Sequence, residues 1–153
     1  MMVNSQRKIT MNEKILVGAI ENCQLPSLGI QSLDVRIDTG AKTSSLHVDN
    51  IKKFKRGGKP WVSFDIHPTV HQVEETISCE SVLKDIRRIK SSNGQVEERY
   101  IIRTEFQLDD KTWLIDISLT DRSDMSFLML LGREGMGNRI LVDPSETYLI
   151  STD

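Results

Sequence analysis

The chain has 153 residues, 38% of them hydrophobic and 27% charged, which excludes a disordered or fibrous protein and fits a globular domain. Its formal net charge of -2 gives no global reason to expect a nucleic acid or an anionic membrane as a partner. The polar N-terminal segment lacks the apolar core of a signal peptide, and no stretch approaches the roughly 20 apolar residues of a membrane span. We therefore expect a cytoplasmic protein with a flexible leader over residues 1–13 and a single domain over residues 14–153.

The first half of the chain reads as a series of strands. Residues 14–25 are aliphatic and β-branched, which predicts one strand closed by a Pro-Ser-Leu-Gly turn signal. Residues 32–40 alternate between aliphatic and polar side chains, the period of a half-buried strand. Residues 44–51 alternate again, and residues 52–60 are expected to form a basic, glycine-containing connection to a strand that begins at Trp61.

The second half also favours strands over helices. The turn at residues 109–111 is expected to join two runs into a hairpin, and Asn93-Gly94 marks the tip of a second hairpin because both residues readily take positive φ. Helical periodicity is scarce, with one short turn expected after residues 130–138. We predict a mainly β domain with at most one short helix. Its later strands are expected within residues 76–83, 99–108, 112–119, 127–134 and 139–150.

Two short motifs carry the functional signal, "DTGA" over residues 38–41 and "LLGR" over residues 130–133. The first is weak alone, because Asp and Gly are ordinary turn formers. Peptide hydrolysis by an aspartic protease uses two close carboxylates that share one proton, one acting as base on water and the other as acid. The chain holds one Asp-Thr-Gly, since Asp143-Pro144-Ser145 lacks the glycine and its proline would lock the backbone of the turn.

The two motifs resemble the signatures of retropepsin-like aspartic proteases in order and in broad separation. Residues 14–151 are still more similar to a bacterial and archaeal family named ATP-dependent zinc proteases, which is found with ribosomal-protein glutamate ligases. The similarity is carried by "DTGAKTSSLH", "FDIHP", "IKSSNGQVEERYIIRT", "LLGRE" and "LVDPSETYLI". It implies a closed acid-protease β-barrel and a symmetric homodimer, in which Asp38 of each subunit meets the other at the two-fold axis.

The resemblance also implies roles for individual residues. The two Asp38 carboxylates would activate water for amide-bond hydrolysis, and Thr39 would hold the paired loops together through hydrogen bonds. Gly40 would allow the loops to approach each other closely. Arg133 would tie the region together, with a carboxylate as its expected partner. Structural support of the site is expected from Leu130, Leu131, Gly132 and Arg133.

Substrate binding is expected to involve a hairpin and the cations near it. In retroviral members of the fold a glycine-rich hairpin covers the substrate, whereas the corresponding residues 87–100 hold one glycine, Gly94. Runs of charged residues usually form a solvated face. We expect this first for the cations of the hairpin and for a second basic cluster over residues 52–59. They would instead bind a glutamate-rich protein tail if the association with glutamate ligases identifies the substrate. We expect substrate-binding residues at Ala41, Lys42, His47, Arg87, Arg88 and Lys90.

Two other functions stay open. One is a peptide-binding or regulatory module that keeps the acid-protease fold without turnover, and the other is a zinc-dependent peptidase. His67 and His71 lie four apart, but Pro68 argues against a helix there, and the chain has no HExxH motif and no CxxC pair. No phosphate-binding GxxxxGK[ST] loop supports a use of ATP. We expect free buried thiols at Cys23 and Cys79, no metal and no cofactor.

Overall fold

The computed structural model describes residues 14–68, 75–90, 94–121 and 127–150, so the expected leader over residues 1–13 lies outside the described residues. One α-helix, α1 (Arg133–Met136), and a 3₁₀ turn over Pro26–Leu28 are the helical elements of these ranges. No helix in them has the length and apolar character required to cross a membrane. The strands are β1 (Ile15–Val17), β2 (Ile20–Leu25), β3 (Ile30–Ile37), β4 (Ser44–His47), β5 (Asp49–Arg56), β6 (Lys59–Ile66), β7 (Ile77–Val82), β8 (Asp85–Lys90), β9 (Val96–Leu108), β10 (Lys111–Thr120), β11 (Met129–Leu131) and β12 (Ile140–Val142).

Six of these strands close into a barrel. The order around the barrel is β10, β4, β11, β3, β2 and β9, and the pairing of β9 with β10 closes the ring. The β10–β4 and β11–β3 pairs are parallel, and the others are antiparallel. Strand β8 pairs with β9 beside the ring. The predicted mainly β fold and closed acid-protease barrel are confirmed.

Alternating side chains fill the barrel. Leu33, Val35 and Ile37 of β3 are buried, whereas Asp34 and Arg36, which alternate with them, are exposed. Phe106 of β9 and Trp113 of β10 pack edge to face, with their ring centroids 5.3 Å apart and an interplanar angle of 70°. Trp113 Nε1 also donates a hydrogen bond to the carbonyl of Gly135 at 2.8 Å, which fixes α1 against the barrel. Cys23 and Cys79 are free and buried, as predicted, and burial raises the pKa of the Cys79 thiol to about 11.

Strands β5, β6 and β7 form a separate three-stranded sheet. The predicted connection over residues 52–60 is wrong, because β5 continues to Arg56 and pairs there with Lys59 of β6. The turn consists of Gly57 and Gly58, whose φ values of 59° and 80° favour glycine. Both faces of this hairpin end are exposed, so no apolar alternation was present to indicate a strand.

The predicted strand over residues 14–25 is broken into β1 and β2 at Gly18. A Cβ at Gly18 would lie 2.3 Å from the carbonyl oxygen of Glu146, so the C-terminal segment passes directly over this glycine. Strand β1 leaves the barrel and pairs in parallel with β12, whereas β2 enters the barrel beside β3. The break therefore makes room for the other end of the described chain.

The segment after β12 is held by a buried carboxylate rather than by strand pairing. Of the run predicted over residues 139–150, residues 140–142 form a strand. The Glu21 side chain is fully buried and accepts hydrogen bonds from the backbone N–H groups of Gly18, Leu149 and Ile150, at 2.8, 2.8 and 3.1 Å. Glu21 thus fastens the C-terminal segment to β2.

Both predicted hairpins are present. The β9–β10 hairpin turns at Asp109-Asp110, with Asp109 at a φ of 55°. The β8–β9 hairpin extends from the Asp85–Ile101 pair to the Lys90–Val96 pair. Gly94 near its tip has a φ of 86°, and residues 91–93 lie outside the described residues.

Candidate functional site

The Asp38 loop leaves the barrel at the end of β3. The Asp38 N–H donates to the carbonyl of Leu131 at 2.9 Å, which holds the loop against the end of β11. The Gly40 N–H donates to Asp38 Oδ1 at 3.0 Å, and the Ala41 N–H donates to the Asp38 carbonyl at 3.2 Å. Asp38 is half-buried, whereas Thr39 and Gly40 are exposed. The loop is a tight turn that fixes one carboxylate oxygen and presents its tip to solvent.

The second motif lies beside the first because β11 is inserted between β3 and β4. Leu131 is buried and Leu130 is half-buried. A Cβ at Gly132 would lie 2.7 Å from the backbone carbonyl carbon of Thr43, so this position requires glycine. The Gly132 N–H donates to Ser44 Oγ at 3.0 Å. The two segments therefore meet with no room for a side chain between them.

Arg133 connects the two motifs through the backbone of the Asp38 loop. Its Nη1 donates to the carbonyl of Thr39 at 2.9 Å, and its N–H donates to the carbonyl of Ala41 at 2.8 Å. The next residue, Glu134, donates its N–H to the carbonyl of Lys42 at 3.0 Å. We expected a carboxylate partner for Arg133, and the structure gives a carbonyl instead. The guanidinium thus holds the loop by satisfying a backbone acceptor.

Sequence reasoning gave no supporting role to Thr43, Ser44 or Glu134. Ser44 is buried and its hydroxyl accepts the Gly132 N–H, while Thr43 Oγ1 donates to the Glu134 carboxylate at 3.3 Å. The available signal was a polar residue at an inward position of an alternating strand, because Ser44 shares the buried face of β4 with Leu46. A hydroxyl at such a position requires a partner.

The residues expected to bind substrate lie on several elements. Ala41 is half-buried and Lys42 is exposed, both in the loop itself. His47, on β4, is half-buried, and its Nδ1 is buried without a hydrogen-bond partner among the described residues. Arg87 and Arg88 are consecutive on β8 and therefore point to opposite faces. Lys90 ends β8 opposite Val96, and its side chain lies outside the described residues.

The described ranges hold no group of three His, Cys, Asp or Glu side chains that could bind a metal ion. His67 instead contacts Asp49 Oδ2 through Nε2 at 3.0 Å and Thr76 Oγ1 through Nδ1 at 3.1 Å. These contacts join the ends of β5 and β6 to the start of β7. His71 lies outside the described residues.

Asp143 belongs to a turn of its own. Its Oδ1 accepts hydrogen bonds from Ser145 Oγ at 2.6 Å and from the Ser145 N–H at 3.0 Å. These two bonds hold the pKa of the Asp143 carboxyl below its usual range. The same side-chain-to-backbone geometry joins Asp38 to Gly40, but Asp143 follows β12 outside the barrel.

The arrangement of the two motifs in a closed barrel agrees with the comparison to known families. The RimB-like family, described as retropepsin-like aspartic endopeptidase RimB, matches residues 16–153. The chain belongs to the RimB-like family.

The curated relatives are longer than this chain, which matches a segment of each. A probable alpha-L-glutamate ligase of Shewanella halifaxensis is 46% identical over 139 residues, which cover 91% of this chain and 30% of that protein. A protein of the same name from Desulfotalea psychrophila is 44% identical over 132 residues, which cover 86% of this chain and 28% of that protein. The chain thus spans less than a third of the curated relatives that it matches.

A solved structure has the same fold. A crystal structure of a protein of unknown function from Legionella pneumophila superposes with a TM-score of 0.74 at 28% identity. The match covers 88% of this chain and 97% of the Legionella chain. Most of this fold therefore occurs in a second protein.

Proposed function

We propose that this protein is an aspartic-type peptidase that acts as a homodimer, with the Asp38 carboxylates of two subunits activating one water molecule. The observation that carries the proposal is the Asp38 loop, in which the Gly40 N–H fixes Asp38 Oδ1 while Thr39 and Gly40 remain exposed. A carboxylate held beside an exposed loop tip is what a second identical loop would need to meet across a two-fold axis. Membership of a family described as aspartic endopeptidases supports the same chemistry.

The proposed chemistry needs the second subunit. Two carboxylates held close together cannot both ionise, so they share one proton. The ionised carboxylate takes a proton from water as the water attacks the amide carbonyl, and the protonated carboxyl donates to the carbonyl oxygen. Within one subunit, Arg133 and Gly132 hold the loop that bears the acid. Their proposed contribution is to keep Asp38 at the correct distance from its copy.

The proposed substrate is a glutamate-rich protein tail. Relatives that contain a segment similar to this chain are named probable alpha-L-glutamate ligases, which supports a substrate rich in glutamate. An acidic tail would be attracted by the cations of the β8–β9 hairpin and of residues 52–59. Peptidase action on such a tail would remove the residues that a ligase adds.

Substitution of the proposed catalytic acid tests the chemistry. Asp38→Asn keeps the hydrogen bond from Gly40 to the side-chain oxygen but removes the ionisable pair, so hydrolysis of a glutamate-tailed peptide should fall at least about 100-fold. Peptide cleavage is followed by mass spectrometry, with Asp143→Asn as the matched control that should retain activity. Undiminished hydrolysis by Asp38→Asn would exclude this mechanism.

A further inference from the structure

Two arginines face each other on the β8–β9 hairpin. Arg87 of β8 is paired in register with Arg99 of β9. Directly opposite residues of an antiparallel pair lie on one face with their Cβ atoms about 4.5–5.5 Å apart, and like charges in that position repel each other. Two positions along β9 the same face carries Ile101, which is buried. Arg99 therefore lies beside a buried position of β9, on the face opposite Tyr100 and Ile102, which pack in the barrel core.

The Arg99 guanidinium is largely removed from water without a full set of acceptors. Its side chain is 16% exposed, compared with 41% for Arg87. Arg99 Nε is buried and has no hydrogen-bond partner among the described residues. The Glu97 carboxylate lies 3.7 Å from Arg99 Nη2, which is too long for a hydrogen bond. An unsatisfied buried N–H is unfavourable, so this position favours a ligand that supplies an acceptor.

Two acids lie on the same face as the arginine pair. Asp85 Oδ2 accepts a hydrogen bond from Arg87 Nε at 3.3 Å. Glu97 lies at the other end of the face, opposite Ile89, and forms an ion pair with Arg99 Nη2 at 3.7 Å. Each guanidinium carries five N–H donors in a planar fork. Because the two acids are at opposite ends of the face, a ligand with more than one oxygen would contact both forks between them.

We propose that Arg87 and Arg99 form a carboxylate-binding subsite that receives a glutamate side chain of the peptide substrate. A carboxylate between the two guanidiniums would accept charge-assisted hydrogen bonds from both and would offset their mutual repulsion. Arg88 lies on the opposite face of the hairpin, in register with Glu98, and has no part in this subsite. The identity of the ligand rests on the proposed function, whereas the binding test below requires no catalysis.

Peptide binding to the full chain carrying Asp38→Asn tests the subsite. A fluorescein-labelled peptide that ends in four glutamates is titrated with this protein and followed by fluorescence anisotropy, beside a peptide that ends in four glutamines. Arg99→Gln and Arg87→Gln should each weaken binding of the glutamate peptide by about tenfold or more. Binding of the glutamine peptide should change by less than about twofold in either variant, because a neutral amide does not need a cationic partner.

A matched control separates a specific contact from general electrostatic attraction. Lys111 is exposed at the start of β10, and Lys111→Gln removes one positive charge at a distance from the arginine pair. This variant should bind the glutamate peptide within about twofold of the parent protein, since exposed charges are screened. Equal loss in all three variants, or unchanged binding in both arginine variants, would overturn the subsite.

Thermal unfolding without peptide distinguishes a binding role from a structural one. Arg99→Met keeps an unbranched side chain of similar length but removes the unpaired donor and the like charge. The midpoint of thermal unfolding should therefore rise in this variant. A lower midpoint would mean that Arg99 stabilises the hairpin itself, and it would overturn the proposal. If Asp38→Asn retained hydrolysis, the proposed catalytic mechanism would be excluded, whereas these binding results would remain valid.

Discussion

At the scale of single residues, the candidate site depends on uncharged groups as well as on Asp38 and Arg133. The Ser44 hydroxyl accepts a hydrogen bond from the Gly132 N–H. Because Gly132 has no side chain, the backbone of Thr43 can pack directly against it. These contacts place β11 against the Asp38 loop, so the position of the acid is set by residues that need never touch a substrate.

Ser44→Ala should lower the free energy of unfolding by about 1–3 kcal/mol, because it leaves the buried Gly132 N–H without an acceptor. Chemical denaturation measures the change. Ser45→Ala on the same strand is the matched control and should change stability by less than about 0.5 kcal/mol, since Ser45 is half-buried. A Ser44→Ala protein as stable as the parent would mean that Gly132 finds another acceptor.

Single residues also show where prediction from sequence ends. Asp38, Gly132 and Arg133 were predicted as one site because their motifs resemble those of a known family. The bond from Arg133 to the Thr39 carbonyl was not predictable, since it joins residues 94 positions apart through a backbone atom that no motif specifies. Side-chain identity constrains the chemistry available, whereas the partner depends on the folded geometry.

At the scale of elements, the Glu21 carboxylate holds the segment that follows β12 in place by accepting hydrogen bonds from its backbone. A fully buried carboxylate is stable here because three backbone N–H groups donate to it. Tyr148 adds a hydrogen bond from its hydroxyl to Asp34 Oδ2 at 2.8 Å, which raises the pKa of the Tyr148 phenol. The segment is thus held by side chains of β2 and β3 together with backbone hydrogen bonds, from the Ala19 N–H to the Glu146 carbonyl and from the Tyr148 N–H to the Ile20 carbonyl.

Glu21→Gln should weaken this attachment, because the amide replaces one acceptor oxygen with a donor that faces backbone donors. The free energy of unfolding should fall by about 1–3 kcal/mol, and the amides of Leu149 and Ile150 should exchange hydrogen faster. Hydrogen exchange measured by NMR provides the readout. Glu105→Gln, at an exposed carboxylate that accepts from Ser27, is the control. Unchanged exchange at both amides would contradict the role given to Glu21.

The three-stranded sheet allows a prediction on pH. Hydrogen bonds from Asn50 and then from Ser78 lower the pKa of the Asp65 carboxyl. The ionised carboxylate therefore stabilises the sheet above the ordinary Asp pKa of about 3.9, and this contribution is lost as the pH falls through the lowered value. Ser78→Ala should raise the pKa of Asp65, as measured by carboxyl NMR titration. Ser81→Ala on the same strand should leave it unchanged, and an equal pKa in both variants would exclude the Ser78 contribution.

Elements were predictable where their signal was local. Strand β3 and the β9–β10 hairpin followed from alternation and turn residues within a short window. The hairpin over residues 52–60 was missed because its exposed lysines give no apolar period. The parallel pairing of β4 with β10 joins residues more than 70 positions apart, and its register has no local signal.

At the scale of the whole molecule, the proposed active site is incomplete in one chain. The tip of the Asp38 loop is exposed, and a second loop would cover it in the homodimer. The C-terminal segment is bound to Glu21 of its own chain. If residues 146–150 supplied a terminal strand to the dimer, they would first have to leave that carboxylate.

Thr39→Arg should prevent the proposed dimer, because two loops that meet on an axis would bring the two new cations together. Sedimentation velocity should give the mass of a monomer, and hydrolysis of the glutamate-tailed peptide should be lost. The midpoint of unfolding of the dilute protein should change little, because the Thr39 side chain is exposed and its carbonyl remains available to Arg133.

Thr112→Arg places the same change at an exposed position of β10 and should leave both mass and activity intact. Hydrolysis by a protein that stays monomeric at every concentration would contradict the shared site. A monomer that binds the glutamate peptide without cleaving it would instead support the non-catalytic binding module.

The insertion of β11 between β3 and β4 has a consequence for the order of events during synthesis. The neighbours of β11 leave the ribosome some 80 residues before it, so the barrel has an unfilled position until residues 129–131 arrive. Pairings of such long range form slowly, because the intervening chain loses much freedom before they are made. The Asp38 loop therefore acquires the support of β11 only when nearly all of the described chain has been made.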